Sequence, residues 1–591
     1  MATLPQAGDR DDLVPLVVVG GRAALVDGVA EVGGTVAEVL RRAAELELAR
    51  RPRWAVFSAR QALAPLAASG VAVRRAWDIA EAHRLINGGW AADPSRAWAG
   101  VAGLSTDEMP SRPGDDLFDF VRAAATAPDP SPDSPLRPDG YLRPEALDPS
   151  WAVTDERVRA LARLVRDIAV RQRDLLAGIG PRAVRTAWSE SAAAVLCVEL
   201  ERDGLPVDRA RAEELIAGAA GLRPADEAEA VQRRRERDRR VLRHAPGREG
   251  TDLRNPAHVR QLLASVGVHV PSTRRWVLEP FRGTHPLVEA LLQWRRDERV
   301  ATTYGYRWLD EHVGSDDRLR GGWTACDGAG GRMTAQNGLH NLPAPLRSAV
   351  AAREGHVFVR ADLGQIEPRV LAVVSADPSL AKATRADDLY APVAARLGVE
   401  RSVAKVTVLA AMYGQRSGSA GEALRGLERA YPVAMGHLDR AYEAGVHRRP
   451  LRTFGGRLIV LDGAPAPGDA TPGATAATAS PGARAATASA GARAASRGRF
   501  ARNALIQGAA AELFKAWAAT VRHAIADLDA EIVLCLHDEL LVHVPEAHAD
   551  EVQARVVRAL TDSARRWAGT GEVRFVVDAS IIGRWSEAKE G

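Results

Sequence analysis

The residues best suited to chemistry stand in the stretch EIVLCLHDELLVHVP, 531–545. Two short apolar, β-prone runs, 532–536 and 540–544, are separated only by His537, Asp538 and Glu539. That pattern reads as a buried hairpin whose tip carries two adjacent carboxylates. Charges between strands that want burial are costly unless a cation or donors compensate them. Taken alone, an acidic surface turn explains the tip as well, since Asp is an ordinary turn former. A second acid changes the weighing. In HVFVRADLGQIEPRVLAVVSAD, 356–377, Val357, Phe358 and Val359 begin a strand and Asp362 stands near its end. The chain then turns helical through Gln365, Ile366, Val370, Leu371 and Val374. An acid at a strand end facing an acid on a hairpin tip is a way to hold two hard cations for phosphoryl transfer. Such ions take a few carboxylates and otherwise water and phosphate oxygens. Asp362 and Asp538, distant along the chain, are therefore expected to meet.

A third stretch, RSVAKVTVLAAMYG at 401–414, spaces Arg401, Lys405, Leu409 and Tyr413 by four. Each step of four drifts about 40° around a helix, so the four share one stripe. Two cations, an apolar contact and an aromatic on one face suit a triphosphate with a base or sugar beyond it. Arg and Lys four apart are, by themselves, an ordinary solvated face.

In this order, DLGQIEPR (362–369), R-x3-K-x7-YG (401–414) and HDE (537–539) resemble the three motifs of family A DNA polymerases, the bacterial DNA polymerase I type. GGRMTAQNGLHNLP (330–343) resembles that family's template-primer segment, and RFARNALIQGAAAE (499–512) its R-x3-N-x3-QG-x-AA helix. Five ordered matches over about 200 residues are far more specific than any one of them.

The resemblance implies a template-directed DNA polymerase that extends a primer 3′-hydroxyl with deoxynucleotides in replication or repair synthesis. Its cofactors would be two Mg²⁺ on Asp362 and Asp538, with Glu539 at the rim. Arg401 and Lys405 would clamp the triphosphate, Lys405 also protonating the leaving pyrophosphate, and Tyr413 would close over the nascent base pair. Glu367 falls where the family keeps its steric gate against a 2′-hydroxyl; Gln365 and His537 complete the nucleotide site. Arg332, Asn341, Arg499, Asn503 and Gln507 would contact the primer-template DNA. Departures are present: Leu409 stands where an aromatic is usual, Leu363-Gly364 replaces Tyr-Ser, His340 replaces Gln, and Pro368 falls at a helix start. None removes a metal ligand or a phosphate contact.

The expected fold class is α+β and multi-domain. Residues 1–180 would form an α/β, ribonuclease H-like exonuclease-type domain, 185–315 a thumb, and 316–377 the first part of the palm. Residues 378–503 would form helical fingers, and 504–591 the rest of an antiparallel palm sheet. VPLVVVGGRAALVDG (14–28) reads as strand, glycine turn, strand; 53–58 and 71–77 read as further strands. Proofreading domains of this family need about four carboxylates, beginning with a D-x-E at the end of the first strand. Here that strand ends in Val-Gly-Gly, the second metal position falls on Ala62, and Asp78 matches an acid not taken as a ligand. Asp167 and Asp174 read as solvated helix acids. No proofreading is expected.

Residues 104–150 read as a linker, and 464–496, almost wholly Ala, Gly, Pro, Ser and Thr, as a disordered and removable insertion. With 79 Lys+Arg against 75 Asp+Glu, any basic cleft must come from clustering, and the Arg-rich segments within 225–305 are expected to grip a duplex backbone. Cys197, Cys326 and Cys535 lack CxxC spacing and read as reduced core thiols. There is no signal peptide and no run of membrane length; with the family resemblance, a cytoplasmic, nucleoid-associated protein acting as a monomer is expected. No 5′-nuclease domain is read ahead of the exonuclease-like part. Three alternatives stay open: a 3′–5′ exonuclease or bifunctional polymerase with an active 3′–5′ exonuclease, a non-catalytic primer-template binder, and a related single-subunit RNA polymerase, against which Glu367 and the HDE tip argue.

Overall fold

The valine-rich run near the N-terminus has no polar side to turn toward water, and it forms the central strand of a sheet. The computed structural model describes residues 13–28, 30–111, 131–414, 421–461 and 490–588. Strand β1 (Leu13–Val19) pairs antiparallel with β2 (Arg22–Val26), and β2 antiparallel with β3 (Glu31–Thr35). On its other edge β1 runs parallel to β4 (Arg53–Val56), and β4 parallel to β5 (Arg75–Asp78), giving the order β3-β2-β1-β4-β5. Gly20, at φ 57°, makes the tight β1–β2 turn. The strand expected over 71–77 is confined to Arg75–Asp78, because the four-residue β4 offers only the partners Arg53 to Val56. Helix Asp155–Ile179 packs on β1 and β2, burying Val158, Leu161, Val165 and Ile168 in one core with Leu13, Val17 and Trp77.

The chain divides into two compact units. The first joins this N-terminal part, through Asp203, with Gly322–Gln336 and Val359–Ile581. Its second sheet has four strands in the order 531–536, 539–545, 356–364, 576–582. The hairpin Glu531–Leu536/Glu539–Pro545 is antiparallel, with Leu536 opposite Glu539. The tip is therefore two residues, His537 and Asp538, and Glu539 opens the second strand. A two-residue loop needs a positive φ, which His537 supplies at 56°. Helix Ala490–Ala524 runs beneath, and helix Pro432–Val446 lies against it so closely that a Cβ on Gly445 would come 2.5 Å from the Arg497 carbonyl oxygen. Of the expected insertion, 464–489 lie outside the described residues, while 490–496 form the first turns of that long helix.

The second unit comprises Gly204–Gly321, Asn337–Phe358 and Ile582–Gly591. Its core joins helices Glu227–Leu242, Pro256–Ser265 and Pro286–Thr303 through Val241, Leu262, Leu263, Leu287, Leu291 and Trp294. Many arginines there are committed to acids: Arg237 and Arg254 to Glu298, Arg254 also to Asp238, and Arg223 to Asp310. Arg234, Arg235, Arg239 and Arg240 stand exposed on the first of these helices.

Candidate active site

Alternation along a strand puts residues two apart on one face, so in the strand His356–Gly364 the side chains of Arg360 and Asp362 point the same way. The hairpin tip docks beside them: the Leu363 amide donates to the Asp538 carbonyl oxygen at 2.9 Å. Asp362 and Asp538 are thus neighbours at the strand ends of the sheet, 176 positions apart in sequence. Burial, reinforced by the charge of Asp362, pushes the Asp538 carboxyl up to about 7. Asp362 is raised by burial as well, with Arg360 acting against the shift. Two crowded carboxylates with so little compensation form a hard-oxygen donor set, and a divalent cation fits it.

Glu539 faces away from solvent and takes a hydrogen bond from Arg360 Nε at 2.7 Å. The same guanidinium reaches Asp362 Oδ2 at 3.0 Å and, through Nη1, Asp578 Oδ2 at 3.5 Å. Neither Arg360 nor Asp578 stood out in the sequence. Period two along VRAD would have flagged Arg360 as a partner of Asp362; Asp578, on the far flanking strand, had no local signal.

A second group forms around Glu367. The helix Ile366–Ser375 begins after Gln365, which is held at φ 56°. That strained residue is fixed from outside: its Nε2 donates to Asp388 Oδ1 at 2.8 Å, and its Oε1 accepts from the Leu389 amide at 2.8 Å. The turn brings Glu367 to Arg332, whose Nη2 donates to Glu367 Oε1 at 2.9 Å. Tyr413 Oη donates to Glu367 Oε2 at 3.4 Å, and Gln507 bonds the same tyrosine. Burial raises the Glu367 carboxyl, and Arg332 opposes the rise. Pro368 occupies the first helical turn, where an amide has no intrahelical acceptor, so its missing donor costs nothing.

Helix Arg401–Met412 buries Ala404, Thr407, Val408 and Ala411 and leaves Arg401, Lys405 and Tyr413 exposed, with Leu409 half-buried between them. Arg401 is engaged, its Nε donating to Asp388 Oδ2 at 2.5 Å, while Lys405 has no ion-pair partner among the described residues. Gly414, at φ 71°, lets the chain pass Arg499, whose Cγ would lie 3.0 Å from a Cβ there. Arg499, Asn503 and Gln507 form a half-buried stripe, spaced by four, on the long helix. Asn341 belongs to the second unit, in the 339–341 turn, where its carbonyl oxygen accepts from Tyr304 Oη at 2.8 Å and Arg299 Nη2 at 2.7 Å. His537 is exposed at the tip.

Arg369, Glu190 and Asp78 are charged or acidic groups at depth that tie elements of the fold together. Arg369 is fully buried and donates to five backbone carbonyls, of Gly364, Thr384, Ala386, Asp387 and Arg574. Glu190 pairs with Lys515 and, at 2.8 Å, with Arg457, joining helix Pro181–Asp203 to the long helix. In the N-terminal part Asp78 caps helix Ile79–Asn87, accepting from the amides of Ala59 at 2.7 Å and Glu81 at 3.0 Å. Ala62 is buried, and Asp167 and Asp174 are exposed.

The sequence model of DNA polymerase family A matches residues 251–444 and 449–587. Among known proteins, DNA polymerase I of Chloroflexus aurantiacus is 31% identical over 352 residues, 54% of this chain and 34% of the relative. Thermostable DNA polymerase I of Thermus filiformis is 29% identical over 351 residues, 54% of this chain and 38% of the relative. DNA polymerase theta of Caenorhabditis elegans is 25% identical over 299 residues, 47% and 17% of the two chains. The chain thus matches less than two fifths of the length of these curated relatives. The fold is similar to that of the POL domain of Pol1 from M. smegmatis, solved with DNA primer-template and dNTP, at a TM-score of 0.65 and 22% identity over 97% of this chain and 95% of that one. With the family model matched across more than half of its length, this chain belongs to DNA polymerase family A.

Proposed function

We propose that the protein is a template-directed DNA polymerase that adds deoxynucleotides to a primer 3′-hydroxyl and does not proofread. The observation that carries this reading is the docking of the hairpin tip on the central strand, Leu363 amide to Asp538 carbonyl at 2.9 Å, which makes neighbours of two carboxylates that burial leaves short of compensation. Asp362 and Asp538 are the residues that would hold two Mg²⁺. When bound, the ions acidify the primer 3′-hydroxyl and neutralise charge on the phosphates.

The chain's own groups do the rest. Lys405 and Arg401 orient the triphosphate, and Lys405 delivers a proton to the departing pyrophosphate. Arg401 has first to exchange its Asp388 partner for phosphate. Glu367, clamped between Arg332 and Tyr413, fills the space under the sugar and rejects a 2′-hydroxyl. Tyr413 closes over the base pair, with Leu409 packing beside it and Gln365 and His537 flanking. Arg332, Arg499, Asn503, Gln507 and Asn341 hold the primer-template, and the exposed arginines 234, 235, 239 and 240 add salt-sensitive backbone affinity. The partition into exonuclease-like part, thumb, palm and fingers given above belongs to this reading, as does a monomer acting in the cytoplasm at the nucleoid. No helix among the described residues is long and apolar enough to cross a membrane.

Absence of proofreading is supported by the chemistry of the first sheet: β1 ends in buried Val19, Ala62 is apolar, and Asp78 is spent on two amides. Primer extension on a defined template tests the whole. The wild type is expected to extend with deoxynucleotides in preference to ribonucleotides and to leave the primer intact when nucleotides are withheld. A protein that binds primer-template without extending it would overturn the polymerase assignment, and shortening of the primer would overturn the second half.

A further inference from the structure

The guanidinium of Arg360 lies inside the carboxylate cluster rather than beside it. It is nearly buried, at 7% exposure, on the central strand of the sheet, and the strands carrying Glu539 and Asp578 flank it on either side. Its Nε is 2.7 Å from Glu539, its Nη2 3.0 Å from Asp362 Oδ2 and its Nη1 3.5 Å from Asp578. One positive charge thus serves three acids that, with Asp538, would otherwise present four negative charges at the strand ends of the sheet. Two consequences follow from charge and geometry alone. Glu539 is taken up by Arg360, so its carboxylate is not open to a cation. Asp362 is held by one oxygen, which fixes its rotamer and leaves Oδ1 as the atom available to an ion.

We propose that Arg360 is a positioning residue and resident cation: it orients Asp362, withdraws Glu539 from coordination, and holds down the intrinsic affinity of the Asp362–Asp538 pair for divalent ions. This rests on the proposed metal role of those two aspartates, but not on polymerase activity.

The test is Mn²⁺ binding to the full chain without DNA or nucleotide, followed by electron paramagnetic resonance, with folding checked by circular dichroism. Arg360→Met removes the charge. Arg360→Gln does so while keeping amide donors for Glu539, and decides the matter if the Met variant does not fold. Arg360→Lys retains the charge. Both neutral variants are expected to bind Mn²⁺ about tenfold more tightly than the wild type, the order of effect for deleting one charge several ångströms from a divalent ion in a partly solvated site. The Lys variant should stay within about twofold of wild type by the same reasoning. Adding Asp538→Ala to Arg360→Gln should abolish the gain. Unchanged or weaker binding in the neutral variants, tighter binding in the Lys variant, or a gain that survives Asp538→Ala would each overturn the proposal. A wild type that binds Mn²⁺ through Asp538 but does not extend a primer would sink the polymerase reading while leaving this one standing.

Discussion

The two larger sheets of the first unit compensate their buried carboxylates in different ways. In the N-terminal sheet the central strand is apolar to its end at Val19, and the one buried acid on a strand, Asp78, is consumed by two backbone amides. In the second sheet the central strand carries Asp362 at its edge, the hairpin brings Asp538 alongside, and a single buried arginine offsets part of the crowding. Burial raises both Asp78 and Asp538, but the oxygens of Asp78 accept from two amides as a helix cap, whereas Asp538 is also raised by the charge of Asp362 and is poised for a cation. Burial is thus common to both sheets, and what separates them is where the compensation comes from.

The comparison is broken most directly by substitution. Asp538→Ala is expected to reduce primer extension by about four decades, measured as single-nucleotide incorporation rate. Asp78→Ala should leave that rate within about twofold, because its partners are amides of helix first turns beside the N-terminal sheet. A comparable loss from both would dissolve the distinction. Next in size is the ion cluster that ties the N-terminal part to the long helix. Lys515→Met leaves Glu190 with Arg457 as its remaining cation in a dry site, and should cost about 3 kcal/mol in a denaturant unfolding titration. A cost below about 1 kcal/mol would mean that Lys515 is dispensable there.

Titration sharpens the contrast further. Asp538 sits near 7, above its value of about 4 in an unfolded chain, so its contribution to folding is complete below about pH 4 and is lost as pH rises through about 7. In chelator, Asp538→Asn should therefore melt progressively above the wild type between pH 4 and pH 8. A melting-temperature gap that does not change with pH would show that the carboxyl is not destabilised by its setting. The smallest effect is expected at the cap itself: Asp78→Ala should cost about 1–2 kcal/mol of stability, as N-cap deletions do.

How much of this was legible beforehand varied with the range of the interaction. The hairpin was readable because two apolar runs bracketed a polar tip; its length was misjudged by one residue, since the pairing of Glu539 with Leu536 depends on backbone twist at His537. The stripe Arg401, Lys405, Tyr413 was readable from helical spacing, but the hold of Asp388 on Arg401 and Gln365 was not, because those bonds span 13 and 23 residues. Arg360 is visible in VRAD, but an arginine there reads from sequence as a solvated face. The composition of residues 490–496 predicts an irregular insertion, yet they continue the helix that packs on Pro432–Val446.

Local chemistry, then, was written into the order of residues: which segments become strand or helix, which side chains share a face, and where acids stand at strand ends. Those depend on neighbours within a few positions, where backbone geometry repeats. Which acid meets which cation was decided only by the folded chain. Arg360 joins Asp362, Glu539 and Asp578, and Lys515 joins Glu190, across separations of up to several hundred residues, and burial sets the electrostatic outcome of each meeting. Charge interactions depend on distance and solvent exclusion, and neither is a property of a linear sequence.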